Sequence, residues 1–467
     1  MDEKKEKELL EKTKREVALT CPYLVWALKR QSGAEYTGSQ VSVMSNGTLK
    51  KMIDVTCGYT LPNSLSGEVR FLLKYREPVT EDMPLSALLR RDSKGRLREF
   101  EYYKFLEGIP SLPRAYLIEE ILKEKGIRPR DINDYVRGLE VLLNSVILEL
   151  RGGQTLSKSL RETAVSETKG REKIIRSISE PLVDFQIAAT RRSAGRLLSS
   201  DVSKSTFPER KMGVQIIDYV RGAAKMREVK EIPIERRREI VEHYAPTIFE
   251  YSHPVQIPLV CHGDLTPTNI LVGNGTSFVD PQLKWRDSLI DMSSLLASPG
   301  VILDTNDEDI AIEFKVISAS KTSGLIPTFK GRIPKLLRFG TRSCFVEDMQ
   351  KGIRGAHNKL KLNYSLGSLA VINDLAESPG VYRGSPPQDT VEMRCNTADS
   401  LDRLINHTEE LGLRQEDSDC YDKFREDLID LGILTKEDIR LAGTSKVKRM
   451  FDAASKISEP ARKERIA

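Results

Sequence analysis

The chain has 467 residues, enough for more than one packed unit, since domains usually hold about 100 to 200 residues. Apolar residues make up 39% and charged residues 30%, the ordinary balance of a soluble globular chain able to bury a sizeable core. The formal charge of +5 is too small at this length to argue for nucleic acid, and no uninterrupted apolar run reaches the roughly 18 to 20 residues that cross a bilayer.

Met1 to Arg15 is rich in Lys and Glu and lacks the apolar core of a signal peptide, so a cytoplasmic protein is expected. To about Val17 the chain reads as a charged helix with Leu9 and Leu10 on its apolar side. Strand patterns follow at Gln40 to Met44, Lys51 to Thr56 and Val69 to Tyr75, separated by Ser45-Asn46-Gly47 and by Pro62-Asn63-Ser64 with Gly67. Turns this short predict an antiparallel sheet. Leu97 to Leu106 places Leu97, Phe100, Tyr103, Phe105 and Leu106 on one side, as in an amphipathic helix, and Pro110 and Pro113 close it. A further strand pair is predicted at Arg114 to Leu122 and at Val141 to Leu150, the second ending at Arg151-Gly152-Gly153.

Helical periods dominate beyond Thr155, with no strand-type alternation as far as Tyr251. Leu259-Val260-Cys261, Ile270-Leu271-Val272 and Ser277-Phe278-Val279 interrupt them as short strands around the Gly273-Asn274-Gly275 turn. More helices are expected from Asp304 onward. The fold class is therefore α+β: a small, mostly β amino-terminal lobe with one helix over residues 1–148, then an α-rich lobe over 149–467 that holds a loop region at 260–291. Cys21, Cys57, Cys261, Cys344, Cys395 and Cys420 lie far apart, without the close pairs that ligate zinc or form redox motifs, and read as reduced thiols. Trp26 and Trp285 read as packing anchors.

The stretch from Cys261 to Val272 sets Asp264 and Asn269 five positions apart on a loop closed by apolar residues. Phosphoryl transfer needs such a pair: a carboxylate that orients the acceptor hydroxyl and takes its proton, and an amide oxygen that holds a magnesium ion bridging phosphates. Magnesium prefers hard oxygen ligands in octahedral array, so a further carboxylate must come from another segment, and Asp280 after Ser277-Phe278-Val279 is placed to supply it. With Asp264 filling the role of base, His262 reads as a packed residue that shapes the loop. Asp291, at a helix start, is expected to brace that loop by accepting backbone N–H bonds.

His262-Gly263-Asp264, Asn269, Asp280 and the run Asp287 to Asp291 before Leu295-Leu296 resemble the aminoglycoside phosphotransferase and choline kinase family, whose fold is that of the protein kinases. The resemblance implies a bilobal kinase-like fold and an ATP- and Mg2+-dependent transfer of the γ-phosphoryl group to a hydroxyl of a small molecule. It also implies Lys74 as the lysine on the α- and β-phosphates, Glu99 as its ion-pair partner with Glu101 as the second choice, and Glu149 and Leu150 as the backbone that meets the adenine edge. Ser45-Asn46-Gly47-Thr48 stands as a phosphate-covering turn or an ordinary hairpin. Glycine before Asp264 favours small-molecule kinases over protein kinases. Pro281 departs from the aromatic residue frequent after the metal-binding aspartate.

Two other readings compete. A protein serine/threonine kinase would need an activation segment, and the gap from Asp280 to Asp291 is short. A non-catalytic nucleotide-binding scaffold would have no use for Asp264, Asn269, Asp280 and Lys74 together. Arg191-Arg192 and Arg236-Arg237-Arg238 argue against a polycationic aminoglycoside as acceptor, which would call for an acidic pocket. Partners are thus a small hydroxyl compound, with neither nucleic acid nor membrane.

Overall fold

A computed structural model describes residues 35–46, 51–60, 66–75, 98–116, 145–150, 153–163, 168–193, 233–249, 257–273, 275–301, 307–322, 343–376 and 387–441, with single positions at 15, 18, 21, 25, 61, 63 and 303. The predicted helix up to Val17 and the strand segments 117–122 and 141–144 lie outside these residues, apart from the single position Arg15. So do Gly47 and Thr48 of the candidate phosphate-covering turn. The fold is α+β. The described residues divide into a β-rich unit, from Met1–Gln154 and Leu271–Pro281, and an α-rich unit, from Thr155–Ile270, Gln282–Glu377 and Gly384–Ala467.

The β-rich unit is built on a five-stranded antiparallel sheet in the order β1-β2-β3-β5-β4, formed by Glu35–Asn46, Lys51–Thr60, Ser66–Tyr75, Ser145–Leu150 and Arg114–Tyr116 in the chain order β1, β2, β3, β5 and β4. All three predicted strands are present and extend beyond their predicted limits. The central strands bury consecutive residues, Phe71-Leu72-Leu73 in β3 and Val146-Ile147-Leu148 in β5. Both faces of these strands are covered, and their sequences accordingly read as continuous apolar runs without alternation. Arg70 forks onto the Asp54 carboxylate, with Nε 2.8 Å from Oδ1, and its other arm donates to the carbonyl of Gly153. Helix α1, Arg98–Phe105, is followed by turns that bury Leu106, Ile109 and Leu112.

Short strands β6, Gln154–Thr155, β8, Ile270–Gly273, and β9, Gly275–Phe278, form a three-stranded sheet in the order β6-β8-β9. Gly153 turns the chain into β6 at φ +99°, and a Cβ there would stand 2.4 Å from the carbonyl oxygen of Val272, so only glycine fits.

The α-rich unit contains α2 (Leu156–Glu162), α3 (Thr168–Ser193), α4 (Ile234–Phe249), α5 (Leu289–Ala297), α6 (Asp307–Thr322), α7 (Ser343–Ala376), α8 (Pro387–Asn406), α9 (Gln415–Asp430) and α10 (Lys436–Leu441). Ile240, Tyr244, Leu362, Leu366, Met393, Leu401, Tyr421 and Phe424 belong to one buried cluster that joins α4, α7, α8 and α9. At its edge Arg236 pairs with Asp427, which also accepts from the Tyr244 hydroxyl at 2.6 Å. Arg236, though partly exposed, is thus tied into the packing of α4 on α9. Two further strands, β7 (Pro258–Cys261) and β10 (Lys284–Asp287), pair antiparallel with Cys261 opposite Lys284 and Pro258 opposite Asp287. Among the described residues no helix is long and apolar enough to cross a membrane.

Candidate active site

Strand β7 is buried through Leu259, Val260 and Cys261, and the Val260 amide donates to Thr190 Oγ1 on α3 at 2.8 Å. A chain leaving a strand carries amides that have lost their ladder partners, and burying them unpaired would cost about 1–3 kcal/mol each. Asp291 meets this need: its Oδ2 accepts from His262 N at 2.7 Å and its Oδ1 from Gly263 N at 2.9 Å. Gln186 Nε2 adds a third bond to Oδ2 at 2.9 Å. Asp291 is 1% exposed, so three neutral donors hold a buried carboxylate. Gly263 makes the turn at φ +82°, where a Cβ would press on the Lys284 side chain at 3.1 Å.

The turn delivers Asp264 half-buried. Its Oδ2 accepts from Gln282 Nε2 at 3.0 Å, and its carbonyl accepts from Asn269 Nδ2 at 2.9 Å. Among the described residues no hydrogen bond reaches Asp264 Oδ1. Between the two residues Thr266-Pro267 opens a single 3-10 turn, Pro267–Asn269, closed by Asn269 N on Thr266 O at 2.9 Å. Proline suits that first helical position, where its missing N–H has no partner to lose. With Asn269 Nδ2 engaged by backbone, its amide oxygen has no donor among the described residues. That oxygen is a hard ligand of the kind magnesium takes.

Burial pushes the Tyr364 phenol up, and the negative charge of Asp264 adds to the effect while the bond to Ser298 Oγ at 3.0 Å opposes it. Burial likewise pushes the Cys261 thiol well up, helped by Asp291 and Asp287, so it stays protonated and is no nucleophile.

In the β-rich unit Asp280 stands in the left-handed region at φ +62°, a conformation uncommon outside glycine and most tolerated by Asn and Asp. Its amide donates to the Tyr103 hydroxyl on α1 at 2.7 Å, and the Phe278 amide donates to the Ser111 carbonyl at 2.8 Å. The segment after α1 thus fixes the approach to Asp280. Lys74 lies on β3 between Met52 and Val146, Glu149 and Leu150 lie on β5 opposite Phe71 and Arg70, and Glu99 lies in α1. The side chains of Lys74, Glu99, Glu101 and Leu150 lie outside the described residues.

The structure thus brings His262, Asp264, Asn269 and Asp291 together in the α-rich unit, and places Asp280, Lys74, Glu99 and Glu149 in the β-rich one. The sequence reading missed Gln282, Gln186, Tyr103 and Lys315. Lys315, fully buried on α6, bonds both oxygens of Asp287 at 2.9 and 3.0 Å. None of these four belongs to a motif, and each reaches its partner across 18 to 177 residues of chain. No signal in the sequence marks them.

No family model matches the chain, and no curated protein matches it in sequence. Solved structures similar to it include the gentamicin complex of APH(2'')-IIa, at 12% identity and a TM-score of 0.36 over 81% of this chain and 93% of that one. ADP-bound aminoglycoside phosphotransferase APH(2'')-Ib is 13% identical with a TM-score of 0.38, over 84% and 97%. The aminoglycoside-3'-phosphotransferase of type VIII is 14% identical with a TM-score of 0.30, over 72% and 99%. Superpositions at this level do not fix a common fold, so the class rests on the strands, helices and hydrogen bonds described above.

Proposed function

We propose that the chain is an ATP-dependent phosphotransferase that moves the γ-phosphoryl group to a hydroxyl of a small molecule. One observation supports this above all: Asp264 sits on a turn pinned by Asp291 with one carboxylate oxygen tied, and among the described residues its other oxygen and the amide oxygen of Asn269 take no hydrogen bond. In this reading Asp264 orients the acceptor hydroxyl and takes its proton. The acceptor oxygen bonds to the γ-phosphorus as the bond to the β–γ bridging oxygen breaks, and ADP leaves. Asn269 and Asp280 would hold a magnesium ion, which would neutralise charge on the phosphates. In the same reading Lys74 would bind the α- and β-phosphates with Glu99 as its partner, and the backbone at Glu149 and Leu150 would meet the adenine. Glu101 is the second choice for the partner. His262 and Asp291 hold the turn.

The test is release of ADP from magnesium–ATP, with water alone and with a panel of sugars, amino alcohols and nucleosides. A small hydroxyl compound should accelerate release, and Asp264→Ala should lose about 10²- to 10⁴-fold. Wild-type rates in Asp264→Ala would remove the reading. Labelling of protein substrates alone would point to a protein kinase, and nucleotide binding without turnover to a scaffold.

A further inference from the structure

On the phosphotransferase reading, we infer that Gln282 is the positioning residue of Asp264, selecting which carboxylate oxygen receives the acceptor proton. The two oxygens of Asp264 are not equivalent. Oδ2 is held by Gln282 Nε2 at 3.0 Å, and Oδ1 has no hydrogen-bond partner among the described residues. A carboxylate on two rotatable bonds would otherwise sample several orientations, and holding one oxygen leaves the other aimed.

Gln282 is itself fixed. Its amide donates to the His262 carbonyl at 2.8 Å, the Leu283 amide donates to the same oxygen at 3.2 Å, and Lys284 Nζ donates to the Gly263 carbonyl at 3.2 Å. Three successive residues, 282 to 284, thus clamp three successive residues of the turn, 262 to 264. Leu283 stands at φ +43° to do so, a strained conformation for leucine that its hydrogen bond to the His262 carbonyl, shared with Gln282, maintains. The chemistry of the side chain also matters. A lysine or arginine in this place would favour the charged carboxylate and weaken it as a proton acceptor. A neutral amide orients Asp264 without adding a charge.

The test uses the full-length protein in the same ADP-release assay, with ATP affinity by calorimetry and thermal melting alongside. Gln282→Leu, which keeps much of the volume but loses the donor, should lower kcat about 10- to 100-fold while KM for ATP, ATP affinity and Tm stay near wild type. Gln282→Glu should be slow at neutral pH and recover relative to wild type as pH falls, because a protonated glutamate regains the donor. Wild-type kcat in Gln282→Leu would overturn the assignment. So would a kcat loss matched by equal losses in ATP affinity and Tm, which is the mark of a merely structural contact. If Asp264→Ala turns over ATP as wild type does, the phosphotransferase reading falls and this inference with it. If Asp264→Ala is inactive and Gln282→Leu is not impaired, the inference alone falls.

Discussion

Asp287 and Asp291 bracket the start of the same helix, and both are buried, yet they are satisfied in opposite ways. Asp287 takes a cation, Lys315, along with the amides of Ile257 and Leu289 at 2.8 Å each. Asp291 takes neutral donors throughout, two turn amides and the Gln186 side chain. A buried ion pair ties β10 and α5 to α6 and fails badly when halved, whereas a carboxylate on two adjacent amides sets the direction of a turn. The first belongs to stability and the second to the aim of Asp264.

Halving the pair should have the largest effect. Asp287→Ala leaves the Lys315 ammonium buried without its partner and should cost about 3–5 kcal/mol in denaturant unfolding, most of it regained in Asp287→Leu with Lys315→Met. If the single variant unfolds like wild type, the Lys315–Asp287 pair does not carry stability. Asp291→Ala strands two amides and should cost about 2–4 kcal/mol. Unlike Asp287→Ala, it should also lower kcat in protein that remains folded, which single-turnover kinetics below the melting range would reveal.

Two glycines differ in the same way, one against rigid backbone and one against a flexible side chain. Gly153→Ala meets backbone, with the Val272 oxygen at 2.4 Å, and should cost more than the roughly 1–2 kcal/mol of a left-handed alanine alone. Gly263→Ala meets the flexible stem of Lys284 at 3.1 Å and should stay near that lower figure, as Tm differences would show.

The smallest effect is in pH. Burial holds Lys315 below the ordinary lysine range despite Asp287, whereas Lys361, equally buried, is lifted above it by Asp307, Asp399 and Glu308 together. Between its lowered folded value and about 10.4, Lys315 binds fewer protons folded than unfolded, so its contribution to stability should rise with pH there. That of Lys361 is complete below about 10.4 and should fall as pH climbs through its raised folded value. Difference curves for Lys315→Met and Lys361→Met against wild type should therefore slope in opposite directions at alkaline pH, and parallel curves would refute the assignment of either environment.

Much of the fold was legible because local pattern and tertiary setting agree. The run Val69 to Tyr75 read as a strand from its apolar, β-branched and aromatic residues, and it forms one. Strand β10 was not legible. Lys284-Trp285-Arg286-Asp287 has no alternation of its own and becomes a strand because β7 lies beside it. Within the site, Asp264, Asn269 and Asp291 stood out since a motif fixes their spacing. Gln282 and Lys315 did not, because an amide or an ammonium acquires meaning only from the carboxylate it meets across the fold.

The proposed phosphotransferase needs Asn269 and Asp280 to serve one magnesium ion, and a double-mutant cycle on magnesium-dependent ATP affinity is the most direct check of that proposal. Asn269→Ala and Asp280→Ala should each weaken binding about tenfold or more, and the double variant should be little worse than either single one, a coupling above about 1 kcal/mol. Strictly additive losses, or singles that bind as wild type does, would contradict it.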